Sequence, residues 1–185
     1  MNHERHNPPP EWRSFEDVVA HSKEHLLQHG THLPMVIVDG ERQSMVVGIN
    51  DLPDTAAMRI QHLFVVGYAV AQADEANQHL KQLFLITEGW LSIGKAGNLP
   101  HLPPSEDPDR HEVLLIMHLR LKERQSRLAA VEILRDEQGN IHKLNDLKPP
   151  QLPDEPFESP LLLAFAAGYQ AGRMGIDSEG EASHP

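Results

Sequence analysis

Leu83-Phe84-Leu85-Ile86-Thr87-Glu88-Gly89-Trp90-Leu91 and Val113-Leu114-Leu115-Ile116-Met117-His118-Leu119 are two of the most strand-like runs of the chain, and the segment between them organises the rest. That segment carries Pro103-Pro104-Ser105-Glu106-Asp107-Pro108-Asp109-Arg110. Two apolar runs on either side of a proline-stiffened polar loop read as neighbouring strands that present a shaped surface feature. The elements outside the pair read as its support.

Upstream, Ser14 reads as an N-cap with Glu16 and Asp17 in the first turn, where carboxylates meet the positive end of the helix dipole. Phe15, Val18, Val19, Ser22 and Leu26 follow one helical stripe, and Gly30 is a stop signal, which predicts a helix over 15–29. Met35-Val36-Ile37-Val38 and Met45-Val46-Val47-Gly48-Ile49 flank the turn Asp39-Gly40-Glu41-Arg42 and predict an antiparallel hairpin. From Thr55 to Gln72, Ala57, Ile60, Phe64, Tyr68 and Ala71 share a face, expected to pack on the sheet; Val65, Val66 and Val70 extend the apolar circumference.

Downstream, Leu128 to Arg135 predicts a strand whose alternation changes phase at Ala129-Ala130, an expected bulge. Glu137-Gln138-Gly139-Asn140 turns the chain into a short strand over 141–144, and Leu161 to Arg173 reads as a small-residue helix. The order is α-β-β-α-β-β-β-β-α, an α+β fold with a mostly antiparallel sheet and helices packed on it. Residues 1–13 read as a flexible arm, 14–173 as a single domain and 174–185 as a disordered acidic tail.

The chain has 185 residues, no cysteine and a formal net charge of −11. The missing thiols exclude disulfides, thiol catalysis and thiolate zinc sites. The charge argues against nucleic-acid binding, which relies on lysine and arginine at the phosphates. The basic group Arg120, Lys122, Arg124, Arg127 reads as a solvated turn. No run is long enough to span a bilayer and the N-terminus lacks a signal-peptide core, so a cytoplasmic protein without membrane attachment is expected.

Candidate binding residues cluster at the central loop: Glu88, Trp90, His101, Asp107, Asp109 and Arg110. Prolines lower the entropy lost in ordering that loop, and Arg110 is expected to pair with Glu88 or Glu112 as a structural brace, with Asp107 or Asp109 in an Asx turn. Glu88, Asp107 and Asp109 with His101 could instead serve a hard metal or acid-base chemistry. Trp90 reads as a core aromatic before an exposed stacking surface. His21, His25 and His29 recur every fourth residue with His32 beyond them. The outer two lie about 12 Å apart on a helix, too far to share an ion, so a solvated polar face is expected. His111 and His118 fall on opposite faces of their strand. No serine has a nucleophile-elbow setting, and no glycine pattern fits a phosphate loop or dinucleotide site.

At Thr87-Glu88-Gly89-Trp90 and at Pro104-Ser105-Glu106-Asp107-Pro108-Asp109-Arg110-His111-Glu112 the sequence resembles small uncharacterised bacterial and phage proteins with the same glutamate, tryptophan and proline-serine-acid-proline-arginine-glutamate arrangement. The resemblance spans mainly residues 80 to 120, with a weaker echo in the first helix and hairpin, and implies no activity. The expectation is a non-enzymatic accessory or protein-binding domain without cofactor or metal, open to self-association through a sheet edge or apolar helix surface. The alternative is a small metal-dependent hydrolase using the loop carboxylates and His101.

Overall fold

The computed structural model describes residues 14–74, 76, 78–92, 106–147 and 158–181. The elements are α1 (Phe15–His29), β1 (Met35–Gly40), β2 (Ser44–Gly48), α2 (Ala56–Ala73), β3 (Leu80–Leu91), β4 (His111–Arg120), β5 (Gln125–Arg135), β6 (Ile141–Leu147) and α3 (Pro160–Glu181). This is the expected α+β order. The ends of α1 follow local chemistry: Ser14 Oγ accepts the Asp17 N–H at 3.1 Å, and Gly30, at φ 75°, closes the helix by donating to the Leu26 carbonyl at 2.8 Å.

The strands form one antiparallel sheet in the order β2-β1-β3-β4-β5-β6. In its register Ile37 faces Phe84, Phe84 faces His118 and Ile86 faces Ile116. Alternation therefore sends Ile37, Phe84, Ile86, Leu114, Ile116 and Val131 to one face, where Phe15, Val18 and Leu26 of α1 cover them. Val36, Val38, Leu83, Leu85, Met117 and Leu119 point the other way, against Leu63 and Ala71 of α2 and Leu162, Phe165 and Tyr169 of α3. Each large side chain buried there contributes roughly 1.5–3 kcal/mol. The sheet is thus a filling between one helix and two.

α2 and α3 run parallel and meet backbone to backbone. A Cβ at Gly67 would fall on the Phe165 carbonyl, one at Gly168 on the Phe64 carbonyl, and one at Gly172 would lie 2.7 Å from the Tyr68 carbonyl oxygen. Gln72 Nε2 donates to the Gly172 carbonyl at 2.8 Å, tying the same crossing.

Three expectations are corrected here. The buried face of α2 is Leu63, Gly67 and Ala71; Ile60, Phe64 and Tyr68 are exposed, because glycine contact and not side-chain bulk sets which side faces α3. The phase change at Ala129-Ala130 is no bulge, since the β4–β5 register runs unbroken from Val113 to Arg120; the irregularity lies between Leu134 and Arg135, on the β6 side. α3 continues past Arg173 to Glu181, into residues assigned from sequence to the tail. Support persists there: a Cβ at Gly175 would sit 3.5 Å from Tyr68 Oη, so α2 still flanks the helix. The expected arm over 1–13, and 182–185 of the expected tail, lie outside the described residues.

Candidate functional site

Glu88 and Glu112 lie on the α1 face near one end of β3 and β4, and what joins them is Arg135. Its Nε lies 3.0 Å from both Glu112 carboxylate oxygens and its Nη2 2.8 Å from Oε1, a two-toothed pair. The same Nη2 stands 3.7 Å from Glu88 Oε2, while Nη1 donates to the Gly30 and Gly139 carbonyls at 3.1 and 3.2 Å. The bond to Glu112 holds the guanidinium pKa above its ordinary value. Glu88 also accepts from the His32 N–H and, at 3.1 Å, from the Thr31 hydroxyl. The end of α1, the sheet and the β5–β6 turn are therefore fastened at one guanidinium.

The brace expected of Arg110 thus belongs to Arg135. Arg110 instead lies over Trp90, its guanidinium carbon 4.4 Å from the ring centroid. Trp90 is 47% exposed, which corrects the core reading: the apolar cover of α1 stops short of this end of β3. Asp107 Oδ1 accepts the Asp109 N–H at 2.9 Å, an Asx turn at the foot of β4. His101 lies outside the described residues.

Loss of Arg135 leaves two carboxylates facing each other, each about a fifth exposed. Arg135→Ala is expected to destabilise the fold by about 2 kcal/mol, reduced from the buried-pair range by that exposure. Arg110→Ala, which removes among other contacts a stack on an exposed ring, should cost less than Arg135→Ala. Urea denaturation of the two variants measures both, and equal losses would show that Arg135 is no brace.

The histidines of α1 gather more closely than a solvated face requires. The His25 ring lies 4.4 Å from that of His29 and 5.0 Å from that of His32. His32 is buried, and Nδ1 donates to the Leu33 carbonyl at 3.0 Å. Burial lowers the pKa of both His25 and His32, with the neighbouring imidazoles adding to the effect at His25. Among the described residues no group of three or more histidines and acids is placed to hold a metal ion.

His111 and His118 do point to opposite faces. His111 Nδ1 donates to Glu132 Oε1 at 2.5 Å, and Asn145 donates to Glu132 Oε2 at 3.0 Å; these bonds, that from Asn145 foremost, depress the Glu132 pKa. His118 is buried on the α1 face, its ring stacked 4.4 Å from Phe84 and 5.6 Å from Phe15. It acts in packing, with almost none of its surface exposed.

The feature that sequence reading placed in the core is the outer side of α2. Met58, Ile60, Phe64, Val65 and Tyr68 are 56, 39, 40, 58 and 42% exposed. Ala57, Gln61, Ala69 and Gln72 lie among them, so every exposed residue of this helix is uncharged. Gly67, against the Phe165 backbone, with Gly168 and Gly172 against the backbone of Phe64 and Tyr68, is the signal in the sequence that the large side chains turn outward. No helix of the described chain is long and apolar enough to cross a membrane. No family model, curated protein or solved structure matches the chain.

Proposed function

We propose that this is a non-enzymatic protein-binding domain that self-associates through the outer face of α2, its partner there being a second copy of the same chain. The observation that carries the reading is the uncharged apolar stripe of Ile60, Phe64, Val65 and Tyr68 on a chain of net charge −11. Two such chains repel through their net charge, and a contact surface without charged groups brings no like charges together at close range; this helix presents that kind of surface.

Area agrees. The five large side chains expose on the order of 400 Å² of mostly apolar surface, near the upper range for the largest patch on a monomer. A stable interface buries about 800 Å² per partner, a little over half of it apolar, so this patch matches the apolar centre of one such interface. A two-fold axis at Phe64 would set α2 against its own copy, with Tyr68 and Ile60 one turn to either side. The close crossing of α2 on α3 holds the stripe on a fixed backbone, which lowers the entropy lost on docking.

Of the carboxylates of the hydrolase alternative, Glu88 is engaged within the fold by Thr31 and His32, and Asp107 by the Asp109 amide. Light scattering coupled to gel filtration tests the dimer. The wild type should run at twice the chain mass at tens of micromolar, and Phe64→Glu should run at the single-chain mass with an unchanged circular dichroism spectrum. A monomeric wild type, or a Phe64→Glu chain that still dimerises, overturns the proposal.

A further inference from the structure

A groove of about 780 Å³ runs along the flank of α3 away from the α2 stripe. Its floor is apolar, with Leu80 at the start of β3, Leu119 at the end of β4 and Leu163 and Ala167 on the helix. Its charged groups are sorted by position. Glu158 stands just before α3, whereas Arg173 and His79 meet at the other end, where Arg173 Nη1 lies 2.9 Å from His79 Nδ1. A guanidinium can only donate, so His79 Nδ1 is the acceptor and its proton sits on Nε2, which adds a second donor to that end. Along the helix axis the acid and the bases are separated by about 20 Å.

Arg124 also lines the groove, from the β4–β5 turn. It is the one non-glycine residue with positive φ among the described residues, at 50°. In a chain whose acids outnumber its bases 27 to 16, two arginines against one glutamate among the described lining residues is a local reversal of sign, to which the neutral His79 adds a donor. A floor of leucine and alanine selects an apolar chain; the bases select an anionic head. The volume is within the range of small-molecule sites.

We propose that this groove binds an amphipathic carboxylate, its hydrocarbon chain along Leu119, Leu163 and Ala167 and its head group at Arg173 and His79. Glu158 fixes the direction, since the carboxylate would be repelled at the opposite end. This site is independent of the self-association proposed for α2, whose exposed side chains line no part of it.

Titration calorimetry on the full chain with decanoate, below its micelle concentration, tests the site. Decanoate should saturate at one molecule per chain, and decanol should bind at least tenfold more weakly. Arg173→Met should weaken decanoate about tenfold. Ala167→Trp, which places an indole in the groove from an exposed position, should abolish binding with the melting curve unchanged. Phe64→Glu should bind as the wild type does. Vesicles of phosphatidylglycerol separate the sources of such a ligand: cosedimentation lost in Ala167→Trp would make it a lipid chain, and binding of decanoate without cosedimentation a free acid. No saturable decanoate binding, equal binding of decanol, or binding unaffected by Ala167→Trp overturns the site.

Discussion

Between pH 6.5 and pH 4 the folded chain is expected to lose about 3 kcal/mol of stability through His118 alone. Gln82 Oε1 lies 2.9 Å from His118 Nε2, and because Gln82 Nε2 donates to Asp39 Oδ2 at 2.8 Å, that amide oxygen can only accept. The imidazole proton is therefore on Nε2, and Nδ1 is a bare lone pair, buried with no hydrogen-bond partner among the described residues. Protonating it would place a positive charge in an enclosure that already has cations beside it. Burial, and after it Arg120 and Arg127, push the pKa down from 6.5 to about 4, Glu16 opposing weakly. Arg127 also lies over the Phe15 ring, 4.3 Å from its centroid, which keeps its positive charge close to the imidazole.

The sign follows from linkage. The unfolded chain takes up this proton near pH 6.5 and the folded chain only near pH 4, so in that window the unfolded state binds more protons and stability falls with pH. Above pH 6.5 both states are neutral and the contribution is complete. His118→Leu removes the titrating group; it is less stable than wild type at pH 7 because Gln82 loses its partner, but the difference should shrink by about 3 kcal/mol at pH 4. Denaturant midpoints of the two proteins at half-unit steps of pH supply the difference curve. Parallel curves would mean that His118 is protonated as easily inside the fold as outside it.

That burial was beyond reading from the sequence for a physical reason. The spacing of His111 and His118 places them on opposite faces, but whether a face is covered depends on which helix lands there, and that is set by Phe15, about a hundred residues earlier. Elements with local causes were legible: Ser14 and Gly30 bound α1, the turn at Asp39-Gly40 pairs β1 with β2, and the two central apolar runs are β3 and β4. The brace was half legible. Glu88 and Glu112 read as acids needing a cation, yet nearness in sequence points to Arg110. The partner, Arg135, arrives through the β4–β5 hairpin and the irregularity beside Leu134. The candidate interface was read inside out, because a helix that is apolar all round gives no preferred direction. Its direction is recorded in glycines, whose value depends on a second helix a hundred positions away.

Those glycines give the second large effect. Gly168→Ala is expected to destabilise the fold by about 3 kcal/mol, at the upper end for overpacking, because the new methyl meets the Phe64 carbonyl, which cannot rotate away as a side chain would. Relief requires α2 and α3 to separate. Separation loosens Leu63, Phe165 and Tyr169 in the core and draws the Tyr169 hydroxyl from the Asp74 carboxylate and the Gln78 carbonyl, its two buried partners. Burial raises the Asp74 pKa, and the hydrogen bonds to it, Tyr169 first, reverse that and hold it below the ordinary range; a displaced helix would therefore also let Asp74 protonate more readily. Gly175→Ala supplies the contrast on the same helix. Among the described residues its methyl would meet Tyr68 Oη at 3.5 Å and Gln72 Nε2 at 3.7 Å, ordinary contacts, so the usual penalty of glycine in a helix is recovered and stability should rise by up to about 1 kcal/mol. One substitution made twice, seven residues apart, should thus shift the urea midpoint in opposite directions. If both stabilise, the helices are not in backbone contact, and the outward turn of Ile60, Phe64 and Tyr68 has lost its cause.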